Sequence, residues 1–251
     1  MTAISNNDIK RLRSLQQKKF RDETGLFIVE GEKMVEEALG SSFEVVDTYR
    51  KSVIGEDMMK RISALASPSP ALAVVKKPSD VVIDDLSVLD DLLSSGGLFL
   101  GLDSMRDPGN LGTVLRIADW FGIDAVFATR DTVDVFNPKV VQATMGAIFR
   151  VRMHYVDLPA LSRRMLDLGG KVYGTFLDGR NIYKRELSDG KGLPAMIVIG
   201  NESEGISDEM ASLVSDRLYI PPYPADQPGS ESLNAAVATA VTVAEFRRRS
   251  F

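Results

Sequence analysis

From Leu98 onward, six apolar runs alternate with segments of helical periodicity, and this alternation constrains the fold more than any other feature of the chain. The runs are LFLGLDSM (98–105), AVFAT (125–129), VRMHYV (151–156), KVYGTFL (171–177), AMIVIG (195–200) and RLYIP (217–221). Most are apolar on both pleat faces, the pattern of a strand covered on two sides. LGTVLRIADWFG, NPKVVQATMG, LPALSRRMLDLGG and SDEMASLVS lie among them, and ESLNAAVATAVTVAEFRRR follows the last. Strands separated by helices predict an α/β fold with a mostly parallel sheet and helices on both faces.

The first 95 residues are organised differently. The spacing of Ile9, Leu12 and Leu15 predicts a helix over 4–24, with Ser5 or Asn6 as its N-cap. GLFIVE, EVVDTYR and ALAVVKK read as strands, GEKMVEEALG as a helix stopped at Gly40, and MMKRISALAS as a further helix. KPSDVVIDDLSVLDDLLSSGG is acidic and closes in Ser-Ser-Gly-Gly, so it reads as a connection with one short helix. At 251 residues two domains are the prior. The boundary is expected near residue 95, giving domains 1–95 and 96–251.

Composition removes several kinds of chemistry. The chain has no cysteine, which excludes disulfides, thiolate metal sites and a cysteine nucleophile, and fits a reducing compartment. A single histidine, His154, cannot build a histidine metal cluster, so no metal is expected. MTAISNNDIKRLRSLQQKKF lacks an apolar signal core, and no run approaches the roughly eighteen apolar residues of a membrane span. The expectation is a soluble cytoplasmic protein with no membrane partner. Net charge is −5, yet residues 1–25 carry Lys10, Arg11, Arg13, Lys18, Lys19 and Arg21 against only Asp8, Asp22 and Glu23. A basic face on an acidic protein suits a polyanion contact, and equally a solvated amphipathic helix.

Three stretches in the second half carry the chemistry. DPGNLGTVLR (107–116) follows the first strand, where open α/β sheets bind ligands. Gly109 and Gly112 give only G-x-x-G, short of a dinucleotide fingerprint, and no triphosphate-binding loop occurs anywhere. A nicotinamide dehydrogenase therefore lacks its third glycine. IVIGNESEGIS (197–207) sets Glu202 and Glu204 in a glycine-bounded loop after a buried strand; its bland reading is a helix start at Ser207. YIPPYPADQPGSESLNAAV (219–237) runs from a proline-rich strand end into the last helix, where Ser232 reads as a cap.

In this order and spacing, DPGNLGTVLR, GNESEG and IPPYPADQPGSESLN resemble the three motifs of the SpoU/TrmH family of SPOUT RNA 2′-O-ribose methyltransferases: D-P-x-N-x-G-x-x-x-R, G-x-E-x-x-G and I-P-x…S-L-N. FNPKVVQATMGAIFRV is similar to the segment between the first two. FIVEGEKMVEEAL and ALAVVKK are similar to the small N-terminal α/β RNA-recognition domain common in this branch. The resemblance covers nearly the whole chain and is most specific over 98–251. It implies a C-terminal segment threaded as a trefoil knot around a site for S-adenosylmethionine. The cofactor-binding positions carried over are Thr175, Phe176, Leu177, Gly200, Ile220 and Leu233. Gly200 would let backbone approach the ligand closely, and Ile220 and Leu233 would wall the adenine.

The implied reaction is methyl transfer to a ribose 2′-hydroxyl of RNA, with ribosomal RNA preferred to transfer RNA. An idle RNA-binding protein of the same fold is the other alternative. The catalytic positions carried over are Asn110, Arg116, Glu202, Ser232 and Asn234. A guanidinium keeps its proton too firmly to be a base, so Arg116 is expected to grip phosphate and stabilise the developing alkoxide. Asn110 and Glu202, with Glu204 as the second carboxylate of the motif, are expected to hold Arg116 and the loops in register. Ser232 and Asn234 are expected to bond the loop and cofactor while starting the last helix. The gap before S-L-N is longer than usual for the family, which alters the rim at Pro221, Pro222 and Tyr223. The resemblance also implies a homodimer through the last helix, whose Arg247, Arg248 and Arg249 complement its C-terminus and could meet RNA. Lys10, Arg11, Arg13, Lys18, Lys19 and Arg21 are the expected RNA contacts of the N-terminal domain.

Overall fold

The computed structural model describes residues 4–188, 190–224 and 231–248. The chain divides into two compact units, one comprising 1–79 and 134–150, the other 80–133 and 151–251.

In the first unit, α1 (Asn6–Ser14) is started by Ser5, which exchanges hydrogen bonds with Asp8 in a capping box. The helix expected over 4–24 is two: the chain breaks after α1 and resumes as α2 (Lys18–Thr24). Arg21 holds the break. It is 2% exposed, and its Nη1 donates to the carbonyls of Leu15 and Gln16 at 3.0 and 2.9 Å. Its Nε and Nη2 donate to Asp134 at 3.1 and 2.6 Å. Arg21 thus satisfies carbonyls that a continuous helix would have bonded internally. It is not the RNA-facing cation expected from charge, because its fork is consumed inside the fold.

Next come β1 (Leu26–Glu30), α3 (Glu32–Leu39), β2 (Val45–Arg50), α4 (Lys51–Ile54), α5 (Glu56–Ile62) and β3 (Ala71–Lys76). The expected helix MMKRISALAS ends at Ile62, and residues 64–67 lie outside it. The strands form an antiparallel sheet in the order β1-β3-β2. Side chains alternate across it. Ile28, Leu72 and Val74 share a core with Ile9, Leu12 and Leu15 and with Met59 and Ile62 of α5. Phe27, next to Ile28, instead meets Phe43 and Phe136 at 6.3 and 4.7 Å between ring centroids.

The second unit opens with a 3₁₀ turn at Leu86–Leu89 and α6 (Asp90–Ser94), then β4 (Gly97–Leu102), α7 (Pro108–Trp120) and β5 (Ala125–Ala128). The chain next contributes 134–150, with α8 (Pro138–Thr144), to the first unit. There Phe149 meets Phe43 edge-on at 5.2 Å. β6 (Met153–Tyr155), α9 (Leu158–Asp167), β7 (Lys171–Asn181), β8 (Pro194–Ile199), α10 (Asp208–Leu213), β9 (Asp216–Tyr219) and α11 (Ala235–Arg248) complete the second unit.

All six of its strands pair in parallel, in the order β6-β5-β4-β8-β7-β9. Phe99, Phe127, Val172, Met196 and Val198 pack with Leu158, Leu161 and Met165 of α9 and Met210 of α10. On the other face Tyr173 meets Phe246 of α11 edge-on at 4.9 Å, and α7 packs along α11. The expected α/β fold with a covered parallel sheet is found. A cut at residue 95 would strip Ile83, Leu89 and Leu93 from the core they share with Phe99 and Leu161. The acidic connection is built into the second unit because its apolar residues bury there.

The buried Arg21–Asp134 pair predicts a large effect from a charged residue that looks superficial in sequence. Arg21→Ala leaves a carboxylate that is nine-tenths buried and two helix-end carbonyls without their donor. It should destabilise the first unit by about 3 kcal/mol, read as a lower urea midpoint. Unfolding unchanged from the parent chain would show that the pair contributes nothing.

Candidate active site

β4, β8, β7 and β9 are neighbours in the sheet; the segments that follow β4, β8 and β9 carry Asn110, Arg116, Gly200, Glu202, Ile220, Ser232, Leu233 and Asn234, while Thr175, Phe176 and Leu177 lie within β7. DPGNLG is a helix start, not a free loop. Asp107 caps α7, its Oδ1 accepting the Asn110 N–H at 2.8 Å, and Pro108 takes the first helical position. Neither Gly109 nor Gly112 has positive φ. Asn110 therefore stands in the first turn of α7, where it is buried.

Asn110 joins two distant segments. Its Nδ2 donates to Glu202 Oε1 at 2.9 Å, and its Oδ1 accepts from Asn234 Nδ2 at 2.8 Å. Glu202 also accepts the backbone N–H groups of Arg106 and Asp107 at 3.3 and 3.2 Å. Asn234 Oδ1 in turn accepts the N–H groups of Ala236 and Val237 at 2.9 and 3.2 Å. Asn234, not Ser232, therefore caps α11, and Ser232 is exposed. Partial burial opposes ionisation of Glu202, but the bonds from Asn110 and from the N–H groups of Glu202 itself, Arg106 and Asp107 hold its carboxyl below the usual glutamate range.

Arg116 stands outside this chain of bonds. It lies on the exposed α7 stripe of Gly109, Thr113, Arg116 and Trp120 and has no hydrogen bond or ion pair among the described residues. The expected contact with Glu202 is not formed: Arg116 lies on the exposed face of α7, whereas Asn110, which does bond that carboxylate, lies on the buried one. Glu204 is exposed, and its N–H donates to Asn201 Oδ1 at 3.1 Å.

Two residues that sequence reasoning passed over build the loop. Asn201 Oδ1 also accepts from Ser203 N–H at 2.8 Å, while its Nδ2 donates to the Ser104 carbonyl at 2.8 Å. Asp103, buried at the end of β4, accepts the Ser207 N–H at 2.8 Å. A polar residue placed directly after an apolar strand, as in LGLD and VIGN, was the available signal.

The cofactor positions lie on or after these strands. Thr175 Oγ1 donates to the Val198 carbonyl at 3.4 Å, and Thr175 pairs with Leu218. These contacts set the middle of β7 between β8 and β9; Gly200 lies just past β8 and Ile220 just past β9. Gly200 is required by the chain's own path. A Cβ there would sit 2.2 Å from the Gly205 carbonyl carbon, so the glycine lets the 201–205 loop fold back on itself. Phe176 and Ile220 are half-buried, while Leu177 and Leu233 are 68% and 48% exposed. Pro221 is half-buried and Pro222 and Tyr223 are exposed; the rest of the lengthened third motif, 225–230, lies outside the described residues.

Arg247 donates to the carbonyls of Phe121 and Gly122 at 2.9 and 2.5 Å, which ties α11 to the end of α7. Arg248 pairs with Glu245, and Arg249 lies outside the described residues. His154 Nδ1 lies 2.7 Å from the Asp80 carbonyl and the ring stacks on Phe127. In the first unit, Lys10 and Arg13 are exposed, Arg11 pairs with Asp47, and Lys18 and Lys19 pair along α2 with Asp22 and Glu23.

The lowered Glu202 carboxyl fixes the sign of a pH effect. Its ionised form gives its full stabilisation above the ordinary value of 4.5 and loses it as pH falls through the lowered native value. Glu202→Gln should therefore be less stable than the parent chain at neutral pH, with the gap closing only below pH 4.5. A gap in urea midpoints that stays constant down to the lowest pH at which both fold would contradict this.

Comparison with protein families matches residues 97–244 to the SpoU rRNA Methylase family and residues 6–67 to the MRM3-like substrate binding domain. The chain is similar to the 23S rRNA (guanosine(2553)-2′-O)-methyltransferase RlmP of Bacillus subtilis (strain 168), at 30% identity over 98% of each chain. Among solved structures it is similar to a putative RNA methyltransferase of the TrmH family from Porphyromonas gingivalis, with TM-score 0.84, 37% identity and 99% and 100% of the two chains covered. It is also similar to an AdoMet-bound rRNA methyltransferase from Sinorhizobium meliloti, with TM-score 0.85, 28% identity and 100% and 98% covered. With the family model spanning more than half of its length, this chain belongs to the SpoU rRNA methylase family.

Proposed function

We propose that this protein transfers a methyl group from S-adenosylmethionine to a ribose 2′-hydroxyl of ribosomal RNA. The observation that carries the reading is the Glu202–Asn110–Asn234 chain of bonds, which gathers all three motifs at one sheet edge. RlmP of B. subtilis, named for this reaction on 23S rRNA, is similar over nearly the whole chain, and the S. meliloti neighbour is named as AdoMet-bound.

When bound, the cofactor supplies a methylsulfonium carbon that is already electrophilic, so the site's tasks are alignment and proton removal. Thr175, Phe176, Leu177, Gly200, Ile220 and Leu233 line the cofactor. Asn110, Glu202 and Asn234 lock the first turns of α7 and α11, fixing the frame to which Arg116 belongs. Arg116, a donor-only group with no partner among the described residues, grips substrate phosphate and stabilises charge on the 2′-oxygen. The proton passes to a phosphate oxygen or to water. Ser232, exposed beside the cap of α11, faces the same ligands.

The first unit brings the RNA through Lys10, Arg11, Arg13, Lys18 and Lys19; the cations are exposed, and surface ion pairs like theirs open at little cost. The enzyme acts as a cytoplasmic homodimer through α7 and α11. Trp120 and Val237, 85% and 49% exposed, support that surface. The C-terminal segment is read as a trefoil knot, supported by the chain's return from β9 at the sheet edge to α11 against α7 and β8.

Nucleoside mass spectrometry of ribosomal RNA from cells with and without the gene should show one missing ribose methylation; identical profiles would remove the function. Arg116→Ala should lower kcat about a hundredfold with S-adenosylmethionine affinity unchanged, whereas Lys18→Glu with Lys19→Glu should weaken RNA binding alone. Parent-like turnover in the first variant, or parent-like RNA affinity in the second, would delete that residue's role. For the dimer, Val237→Asp should shift sedimentation from two copies to one, and a parent chain that sediments as a monomer would exclude it.

A further inference from the structure

Four residues of β7 leave the sheet. β9 pairs with Tyr173, Gly174 and Thr175 and again with Arg180 and Asn181, yet Leu218 is the partner of both Thr175 and Arg180. Residues 176–179 therefore bulge out between two paired stretches. They carry Phe176 and Leu177, two positions assigned above to the cofactor. A bulge without ladder bonds samples many conformations, and ordering it would fall as a cost on whatever binds.

Phe176 packs against the buried core, and one side chain of β9 reaches across the bulge. Arg217, the β9 partner of Gly174, sets its guanidinium carbon 3.5 Å from the centroid of the Phe176 ring. Its Nη2 donates to Asp178 Oδ1 at 2.6 Å, and this bond holds the Asp178 carboxyl below the usual range. The ring also lies so close over Gly174 that a Cβ there would be 2.5 Å from Phe176 Cε2. Alternate residues of the bulge, Phe176 and Asp178, thus both contact one guanidinium. Leu177, between them, is left 68% exposed.

We propose that Arg217 is a positioning residue of the cofactor site, which by stacking on Phe176 and pairing with Asp178 presets the 176–179 bulge so that Leu177 and its backbone meet the adenosyl group without reordering. This rests on the reading of that edge as an S-adenosylmethionine site. An arginine suits the task because only its planar fork can stack on a ring and bond a carboxylate together. A lysine keeps the charge and loses the plane.

The test measures S-adenosylmethionine binding to the full chain by calorimetry, together with initial rates on RNA. Arg217→Ala should raise Kd and KM for the cofactor about tenfold, with kcat at saturation and RNA affinity within about twofold. Arg217→Lys should recover only part of the loss. Asp178→Asn, whose side chain is 75% exposed, should raise Kd by a smaller factor with Tm unchanged, which separates positioning from folding. Parent-like cofactor affinity in Arg217→Ala would overturn the proposal. So would a parallel loss of kcat, RNA binding and Tm in both the alanine and asparagine variants. A parent chain that binds no S-adenosylmethionine would fell the proposed function first and this inference with it.

Discussion

The site depends on a chain of hydrogen bonds whose direction is dictated at both ends. A carboxylate can only accept, and the N–H groups opening a helix can only donate. Between Glu202 and the first turn of α11 stand two amides, Asn110 and Asn234, each of which must donate on one side and accept on the other. No other orientation satisfies every group. Three segments far apart in sequence are joined with defined polarity, and asparagine is the residue that can do this in so short a span. An aspartate at 110 would face Glu202 with a second acceptor, and a leucine would leave Asn234 without one.

The residues of the site fall into two groups by how their bonding capacity is used. Asn110, Glu202, Asn234, Asn201 and Asp103 are engaged within the protein. Arg116, Ser232, Leu177 and Leu233 are exposed. A scaffold with its internal bonds complete holds its geometry before a ligand arrives, while side chains free to meet a ligand supply the binding. Among the described residues Arg116 and Glu202 form no ion pair, which places the guanidinium in the second group.

The sheet was legible because a strand buried on both faces has few sequence solutions, and all six apolar runs from Leu98 became its strands. The motif residues were legible through resemblance, but their contacts were not. Asp-Pro-Gly reads as a turn until Asp107 and Pro108 are seen as cap and first helical residue, and Ser232 competes with Asn234 for a cap that only geometry can award. Arg21 was read as part of a basic face because charge alone does not report burial, and its partner Asp134 lies 113 positions away. The same distance hid the membership of 134–150 in the first unit, where Phe136 completes a cluster begun at Phe27.

Glycine at 200 has a reason of its own in the fold, beside the one read from the sequence. Sequence logic assigned it to close approach of a ligand, whereas the nearest obstruction is the chain's own Gly205 carbonyl carbon. The two reasons differ in consequence. A glycine kept for the ligand could be replaced with loss of binding alone, but one kept for the fold of 201–205 would on replacement displace Asn201 and Glu202, which sit in that loop. The bonds from Glu202 to Asn110 and from Asn110 to Asn234 would then be disturbed in turn. At this edge the fold of the 201–205 turn and the joining of the first turns of α7 and α11 rest on the same stretch of backbone, so neither can change without the other.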